Sequence, residues 1–377
     1  MKKKLENRKN NKSIIVSTLI FVITFIAMAG YLIYFNLTQA ESIINNSYNK
    51  RQGVLSRRTI RGSILSDDKT KLAVTNVDDD GNETRYYPYS GLFSHAIGYL
   101  NNGGYGLESL YGYYMLHSNQ NFFEQIGNDL SGNRNTGDNV VTTLNVGLQK
   151  ACYDALGSNR GAVIVMEPST GKILAMVSKP DFDPNTLAAN WSQITGEGSD
   201  SVLVNRATQG LYPPGSTFKL ITMLEYLREH KNDYGQYHYI CDGTYELGNN
   251  TINCVRTTAH GDVDLFSSLA VSCNCSFINI GLDLDRYKKT AEKMLFNKEL
   301  PTNLEYNKSR FVLNGESSEW DIAQTSFGQG KTVITPFHLA LITCTIANNG
   351  TLMEPYLVSS VESTNGMTVK KFKEEKY

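Results

Sequence analysis

The sequence predicts an α+β protein behind a single N-terminal membrane anchor. Three observations predict it. An uncharged apolar run lies close to the N-terminus. Short apolar strands joined by Pro/Gly turns follow in the middle of the chain. A segment of helical period then opens directly after Pro-Pro-Gly. The chain has 377 residues, 41% hydrophobic and 19% charged, with a formal net charge of -1. At roughly 150 residues per domain this is two to three units. The charge balance gives no reason to expect nucleic acid as a partner. Its 22 tyrosines fit a surface that handles sugars or peptides only loosely.

The apolar run, Ile14 to Phe35, contains no charged side chain. A bilayer core about 30 Å thick needs roughly 20 such residues in a helix. Its polar members Ser17, Thr18 and Thr24 can bond back to helix carbonyls. Lys2, Lys3, Lys4, Arg8, Lys9 and Lys12 precede the run, against the single acid Glu6. That imbalance keeps the N-terminus in the cytoplasm and carries the rest of the chain across. The expected layout is therefore a cytoplasmic tail (1–13), a transmembrane helix (14–36), a pedestal and linker domain (37–140), and a domain over 141–377 that carries the chemistry. A signal peptide cleaved near Ala40 is the other reading, although its apolar region would normally be only about 7–15 residues long.

Residues 38–60 read as a juxtamembrane helix and linker. Arg61 to Leu65, the polar turn Asp67–Thr70 and Lys71 to Val74 form a hairpin. Asp78–Asn82 is a second turn, and residues 127–139 read as a solvated loop. Val140–Leu144 is a strand. Asn145–Leu156 is a helix, with Val146, Leu148, Ala151, Cys152 and Ala155 on one side. Gly161–Met166 and Lys172–Val177 flank the turn Glu167-Pro168-Ser169-Thr170-Gly171, giving an antiparallel hairpin. Its near-continuous apolar character predicts cover on both faces.

Six cysteines are present. Cys241 and Cys254 bracket a turn-rich segment, where a disulfide or two buried thiols would both fit. Cys273 and Cys275 would share one face of a strand. No C-x-x-C and no His cluster with metal spacing occurs, so neither a metal nor a cofactor is expected.

The chemistry centres on Tyr212-Pro213-Pro214-Gly215-Ser216-Thr217-Phe218-Lys219. The helix after Pro-Pro-Gly places Ser216 at its N-terminus. Three residues make nearly one turn, so Ser216 and Lys219 share a face. A serine hydroxyl needs a base. A lysine in a dry cleft, near other cations, can serve once its pKa falls. Backbone N–H groups at the helix start lie where an oxyanion would develop. Ser272-Cys273-Asn274 adds a serine and an asparagine, two apart on a loop. Ser272 is placed to relay a proton to a leaving amine, and Asn274 to hold a substrate amide and the lysine.

Together these residues resemble the class B penicillin-binding proteins, whose pattern is S-x-x-K, then S-x-N, then K-T-G or K-S-G. Arg61-Gly62-Ser63-Ile64 is similar to the family's R-G-x-I element, and Gly106-Leu107-Glu108 to its G-x-E segment. Ser326-Phe327-Gly328-Gln329-Gly330 with Thr335-Pro336 resembles its G-Q-G and T-P stretch. The resemblance spans about residues 60–358. It implies an antiparallel sheet flanked by helices, as in serine β-lactamases, over a small pedestal. It also implies D,D-transpeptidation of peptidoglycan stem peptides, on lipid-linked or nascent glycan, through an acyl-enzyme. The catalytic residues carried over are Ser216, Lys219, Ser272 and Asn274, with the Ser216 N–H as one oxyanion donor. The implied partners are β-lactams and membrane-embedded cell-wall synthesis proteins such as a glycan polymerase. Whether the role is division or elongation stays open.

The third motif is not found. After Asn274 the only K-T pair is Lys331-Thr332-Val333, directly behind G-Q-G and not on an expected cleft strand. The chain is therefore expected to be truncated at its C-terminus, to expose a sheet edge, and to be at best a weak transpeptidase. A β-lactamase, a multi-span β-lactam sensor and a bifunctional synthase fit the layout less well. A non-catalytic cell-wall-assembly scaffold is the alternative from another class.

Overall fold

The computed structural model describes residues 2–38, 56, 58–196, 199–284 and 287–377. The N-terminal helix α1, Lys2–Thr38, contains Ile14–Phe35, which is long and apolar enough to cross a membrane. Thr18 and Thr24 donate to the carbonyls of Ile14 and Ile20, as their place in an apolar helix requires. Most of the expected juxtamembrane helix and linker over 38–60 lies outside the described residues. At its end, β1 (Thr59–Ile60) is a strand.

The expected hairpin forms from β2 (Ile64–Leu65) and β3 (Lys71–Val77), and β4 (Glu83–Tyr86) continues it past the Asp78–Asn82 turn. Residues 127–139 depart from the loop reading. A helix covers Phe122–Leu130, started by the Asn121 side chain accepting from the Phe123 N–H, and β5 (Asn135–Thr136) pairs in parallel with β1. The loop reading holds for residues 131–134 and 137–138, and most of the rest lies on the helix end at 127–130 and on a strand too short to show a period.

Next, β6 (Asn139–Thr142) leads to α2 (Val146–Leu156), which Asn145 caps by accepting from the Leu148 N–H. The inward side of α2 is only partly the expected one: Val146, Leu148 and Cys152 are half-buried. Ala151 and Ala155 are exposed, and Gln149 is buried. Its amide donates to the carbonyls of Leu92 and Met176 and accepts from the Met176 N–H, so a satisfied polar side chain sets the face. The hairpin β7 (Gly161–Met166) and β8 (Ile173–Lys179) is antiparallel as expected. Cover is uneven, however: β8 is mostly buried and β7 half-buried throughout. Among the described residues β7 pairs with no strand other than β8.

The helix carrying the S-x-x-K segment is α3 (Lys219–Glu229). After it come the short strands β9 (His238–Cys241), β10 (Thr244–Leu247), β11 (Asn250–Asn253) and β12 (Gly261–Asp264). Helices α4 (Leu265–Ala270) and α5 (Asn274–Asp283) follow, then α6 (Glu319–Ser326) and α7 (Pro336–Ala347). An apolar groove of about 520 Å³ separates β7 from α7, between Val163, Val165, Leu339 and Cys344. The chain closes with β13 (Val358–Glu362) and β14 (Thr368–Lys371). These join the N-terminal strands in one six-stranded sheet of order β14-β13-β6-β2-β3-β4.

One core cluster runs from Ile64 and Leu72 through Leu144, Ile173 and Met176 to Phe337 and Val358. A second, of Phe218, Ile221, Phe296, Phe311 and Ile334, supports the turn that holds Ser216.

The R-G-x-I and G-x-E elements, far apart in sequence, meet in a buried ion cluster. Glu108 accepts from Arg61 Nε at 2.9 Å and from Arg85 Nε at 2.7 Å, and Arg85 also donates to the Gly62 carbonyl. Burial alone would push the Glu108 carboxyl up, but Arg85 and Arg61 outweigh it and hold it below the ordinary range.

Candidate active site

Pro213 and Pro214 end the extended segment. A 3₁₀ turn, Gly215–Phe218, then runs directly into α3. Gly215 sits at φ +58° and donates its N–H to the Gly328 carbonyl at 2.8 Å. A Cβ on Gly328, itself at φ +82°, would lie 1.8 Å from the Gly215 carbonyl oxygen. The G-Q-G stretch is thus the floor on which the Ser216 turn rests, and glycine is required there. In the same S-x-x-K run Phe218 points into the core, stacked on Phe311 and edge-on to Phe296. That leaves Ser216 exposed and Lys219 fully buried.

The Ser272-Cys273-Asn274 segment lies in the turn between α4 and α5, with Ser272 at φ +53°. The fold brings it onto Lys219, so all four expected residues converge. Lys219 Nζ lies 2.7 Å from the Ser272 carbonyl, 2.9 Å from Ser272 Oγ, 2.8 Å from Asn274 Oδ1 and 3.4 Å from Ser216 Oγ. Ser272 Oγ is 3.0 Å from Ser216 Oγ. Asn274 Nδ2 donates to the Asn253 carbonyl at 3.0 Å, which fixes the amide so that its oxygen faces the lysine.

Burial pushes the Lys219 ammonium down to about 8. Desolvation lowers it, and the partners within hydrogen-bond distance are neutral oxygens, not the neighbouring cations expected from sequence. Lys331, the lysine of the stray K-T pair, is exposed and lies 3.5 Å from Asp321.

Sequence spacing gave no sign of one feature beside this site. Cys273 and Cys275 are not on a strand; Cys273 caps α5, accepting from the Ser276 N–H at 3.4 Å. Cys241, Cys254, Cys273 and Cys275 are all buried, free thiols. The Cys241 and Cys254 sulfurs are 3.8 Å apart, well beyond the roughly 2.05 Å of a disulfide. The donor atoms of Cys241, Cys254, Cys273 and His260 lie within 4.8 Å of one another.

Comparison with known proteins matches both halves of the chain. Residues 161–376 match the penicillin binding protein transpeptidase domain, and residues 61–140 the penicillin binding protein A dimerisation domain. The chain is 31% identical over 312 residues to the peptidoglycan D,D-transpeptidase PbpA of Mycolicibacterium smegmatis, covering 76% of this chain and 61% of that protein. It is 28% identical over 335 residues to the peptidoglycan D,D-transpeptidase MrdA of Acinetobacter baumannii, covering 76% and 49%. Among solved structures it resembles the imipenem acyl-enzyme complex of penicillin-binding protein A from M. tuberculosis. The TM-score is 0.76 at 28% identity, over 85% of this chain and 78% of that one. The D,D-transpeptidase domain of a peptidoglycan glycosyltransferase from Eggerthella lenta gives a TM-score of 0.74 at 31% identity, covering 85% and 77%. The chain thus spans about half to three-fifths of the length of these curated relatives. By the match over residues 161–376, on a fold these structures share, the chain belongs to the family of penicillin-binding protein transpeptidases.

Proposed function

We propose that this chain is a serine D,D-transpeptidase that cross-links peptidoglycan stem peptides through an acyl-enzyme on Ser216, and that β-lactams acylate the same serine. The observation that carries the reading is the placement of Lys219. It is a fully buried lysine whose near partners are Ser272 and Asn274, one hydroxyl away from an exposed Ser216. In its neutral form two N–H groups point at the Ser272 carbonyl and Asn274 Oδ1, the two acceptors that cannot donate. The lone pair then faces the serine hydroxyls. Ser216 Oγ can pass its proton through Ser272 Oγ to Lys219 Nζ, over contacts of 3.0 and 2.9 Å.

The oxygen freed in this way attacks the carbonyl carbon of the penultimate D-Ala. The C–N bond to the terminal D-Ala breaks, and the departing amine takes the proton back through Ser272. An amine of a neighbouring stem then attacks the ester, forms the cross-link and releases Ser216. The Ser216 N–H, in the first turn, where no intrahelical acceptor precedes it, serves the oxyanion.

Residues 37–140 act as a pedestal and 141–377 as the transpeptidase domain, behind an anchor whose basic N-terminus stays in the cytoplasm. That places the site outside the membrane, within reach of a membrane-embedded glycan polymerase. Fluorescent-penicillin labelling of the full chain in detergent, with Ser216→Ala alongside, tests the reading. Stable label on the wild type alone supports it. Equal labelling of both, or of neither, rejects it and leaves the scaffold role.

A further inference from the structure

A cavity of about 260 Å³ lies between the dimerisation-domain region and the transpeptidase region, and none of Ser216, Lys219, Ser272 and Asn274 lines it. His95 and Tyr105 come from the first region, and Asn205, Thr208 and Glu305 from the second. Ligand sites favour such junctions. The first wall is a closed loop. Tyr99 and Tyr105 exchange backbone hydrogen bonds of 2.9 and 3.3 Å, and their rings stack with centroids 6.0 Å apart. Gly98 lets the loop ends touch: at φ +87°, a Cβ there would lie 1.9 Å from the Tyr105 carbonyl oxygen. Glu108, three residues past Tyr105, sits in the buried ion cluster and anchors this wall. Asn205 ties the two walls together. Its side-chain amide donates to the His95 carbonyl at 3.3 Å, and its oxygen accepts from the Ala207 N–H. The cavity is thus a built seam.

Its polar groups have a definite character. His95 Nε2 lies 3.3 Å from the Pro180 carbonyl, which can only accept, so Nε2 carries the ring proton. Burial pushes the His95 ring down to about 4, which leaves it neutral near pH 7 with Nδ1 as a bare acceptor. Among the described residues nothing donates to that nitrogen. Glu305 is the only carboxylate in the walls, and among the described residues no cation pairs with it. Burial and the Glu305 charge push the Tyr105 phenol up to about 12, against Asn205 and Thr208, so it remains a neutral donor. Leu304 and Leu357 add apolar wall.

One negative charge, one bare acceptor, several groups that can give or take a hydrogen bond and apolar strips complement a body with one ammonium, several hydroxyls and C–H faces. An anion would meet Glu305 unfavourably. The volume is far above the roughly 10–15 Å³ that one water needs. It is also just under the roughly 300 Å³ at which pockets for drug-sized ligands begin, so the ligand is small. We propose that this cavity binds a hydroxylated primary amine the size of one amino sugar, with its ammonium on Glu305 and its hydroxyls on Tyr105, Asn205 and Thr208. Both regions supply contacts, so the ligand would fasten one to the other. The proposal does not depend on the reaction at Ser216.

The test is D-glucosamine binding to the full chain in a detergent without a sugar headgroup, followed by saturation-transfer NMR titration. Glucosamine should bind saturably. Glucose and N-acetylglucosamine, which keep hydroxyls and lack the ammonium, should bind weaker by about tenfold or more, the worth of a hydrogen bond to a charged group. Glu305→Gln should weaken glucosamine by the same factor and leave glucose unaltered. Penicillin G added first should change nothing, because Ser216 lies outside the cavity. Should Glu305→Gln fail to fold, hydrogen exchange of the wild type decides. Glucosamine should slow exchange at residues 104–110 and 303–305 and not around Ser216. No saturable binding, equal binding of glucose, displacement by penicillin G, unchanged affinity in Glu305→Gln, or protection confined to the Ser216 region would each overturn the proposal.

Discussion

Two fully buried charged side chains, Glu108 in the N-terminal region and Lys219 beneath Ser216, are handled in opposite ways. Glu108 is clamped by two guanidiniums, and its charged form is favoured. Lys219 is given carbonyl and hydroxyl oxygens, with no carboxylate among its hydrogen-bond partners, and its ammonium is lowered to about 8. A buried charge that meets its countercharge becomes a joint. One that meets only dipoles becomes a group ready to give up its proton. The first arrangement holds two distant stretches of chain together, and the second is what the proposed base role of Lys219 requires.

Exchanging each residue for a neutral one should separate the two roles. Lys219→Met is expected to lower the penicillin acylation rate by about 10²–10⁴, the usual worth of a general base. Its unfolding midpoint should move little, because relief of the buried ammonium offsets two orphaned acceptors. Stopped-flow acylation and urea unfolding on the same preparation check both halves. Retained acylation would remove Lys219 from the base role. Glu108→Ala should do the reverse. Two buried guanidiniums are left without their countercharge, which costs about 3–5 kcal/mol of stability. Acylation by the folded fraction should be unchanged. A stability loss near zero in urea unfolding would mean that the cluster is not a joint.

The residues within each motif were legible in the sequence because their spacing encodes proximity. Ser216 and Lys219 share a helical turn, and Ser272 and Asn274 share a loop. The hairpins were equally legible, since turn residues flank apolar runs. Contacts made through space were not. Nothing in the sequence says that Gly328 lies under Gly215, or that Arg85 completes the Arg61–Glu108 pair. The four metal-type donors come from four segments with no C-x-x-C spacing, so only the folded ladder of β9 and β12 unites them. The α2 face was misread because Gln149 looks like a surface residue until the backbone groups it satisfies are known. The helix over Phe122–Leu130 was missed because only its last residues fall in the polar 127–139 stretch and its apolar Phe123, Ile126 and Leu130 are exposed.

Geometry should matter to the Lys219 side of the comparison alone. Gly328→Ala adds a Cβ 1.8 Å from the Gly215 carbonyl at φ +82°, so the Ser216 turn must shift. A displacement of about 1 Å at a reacting group costs on the order of 10²-fold. The acylation rate should fall by that order, with the Glu108 cluster intact. A wild-type rate in Gly328→Ala would show that the turn tolerates displacement.

The smallest expected effect is the pH profile, and it is the one that reads the lysine directly. The base is the neutral amine, so below about 8 the acylation rate should climb about tenfold per pH unit and level off above that value. Stability carries the same signature. Between about 8 and the ordinary 10.5 the folded chain holds one proton fewer than the unfolded chain at Lys219. Unfolding free energy should therefore rise with pH across that window, and Lys219→Met should lose the rise. Glu108, whose carboxyl is held below its ordinary range, adds a second rise of the same sign in acid: its stability is present above the ordinary carboxylate pKa and is lost as acid titrates it. An acylation rate flat through pH 8, or one that falls, would mean that Lys219 works as a fixed cation and that another group takes the Ser216 proton.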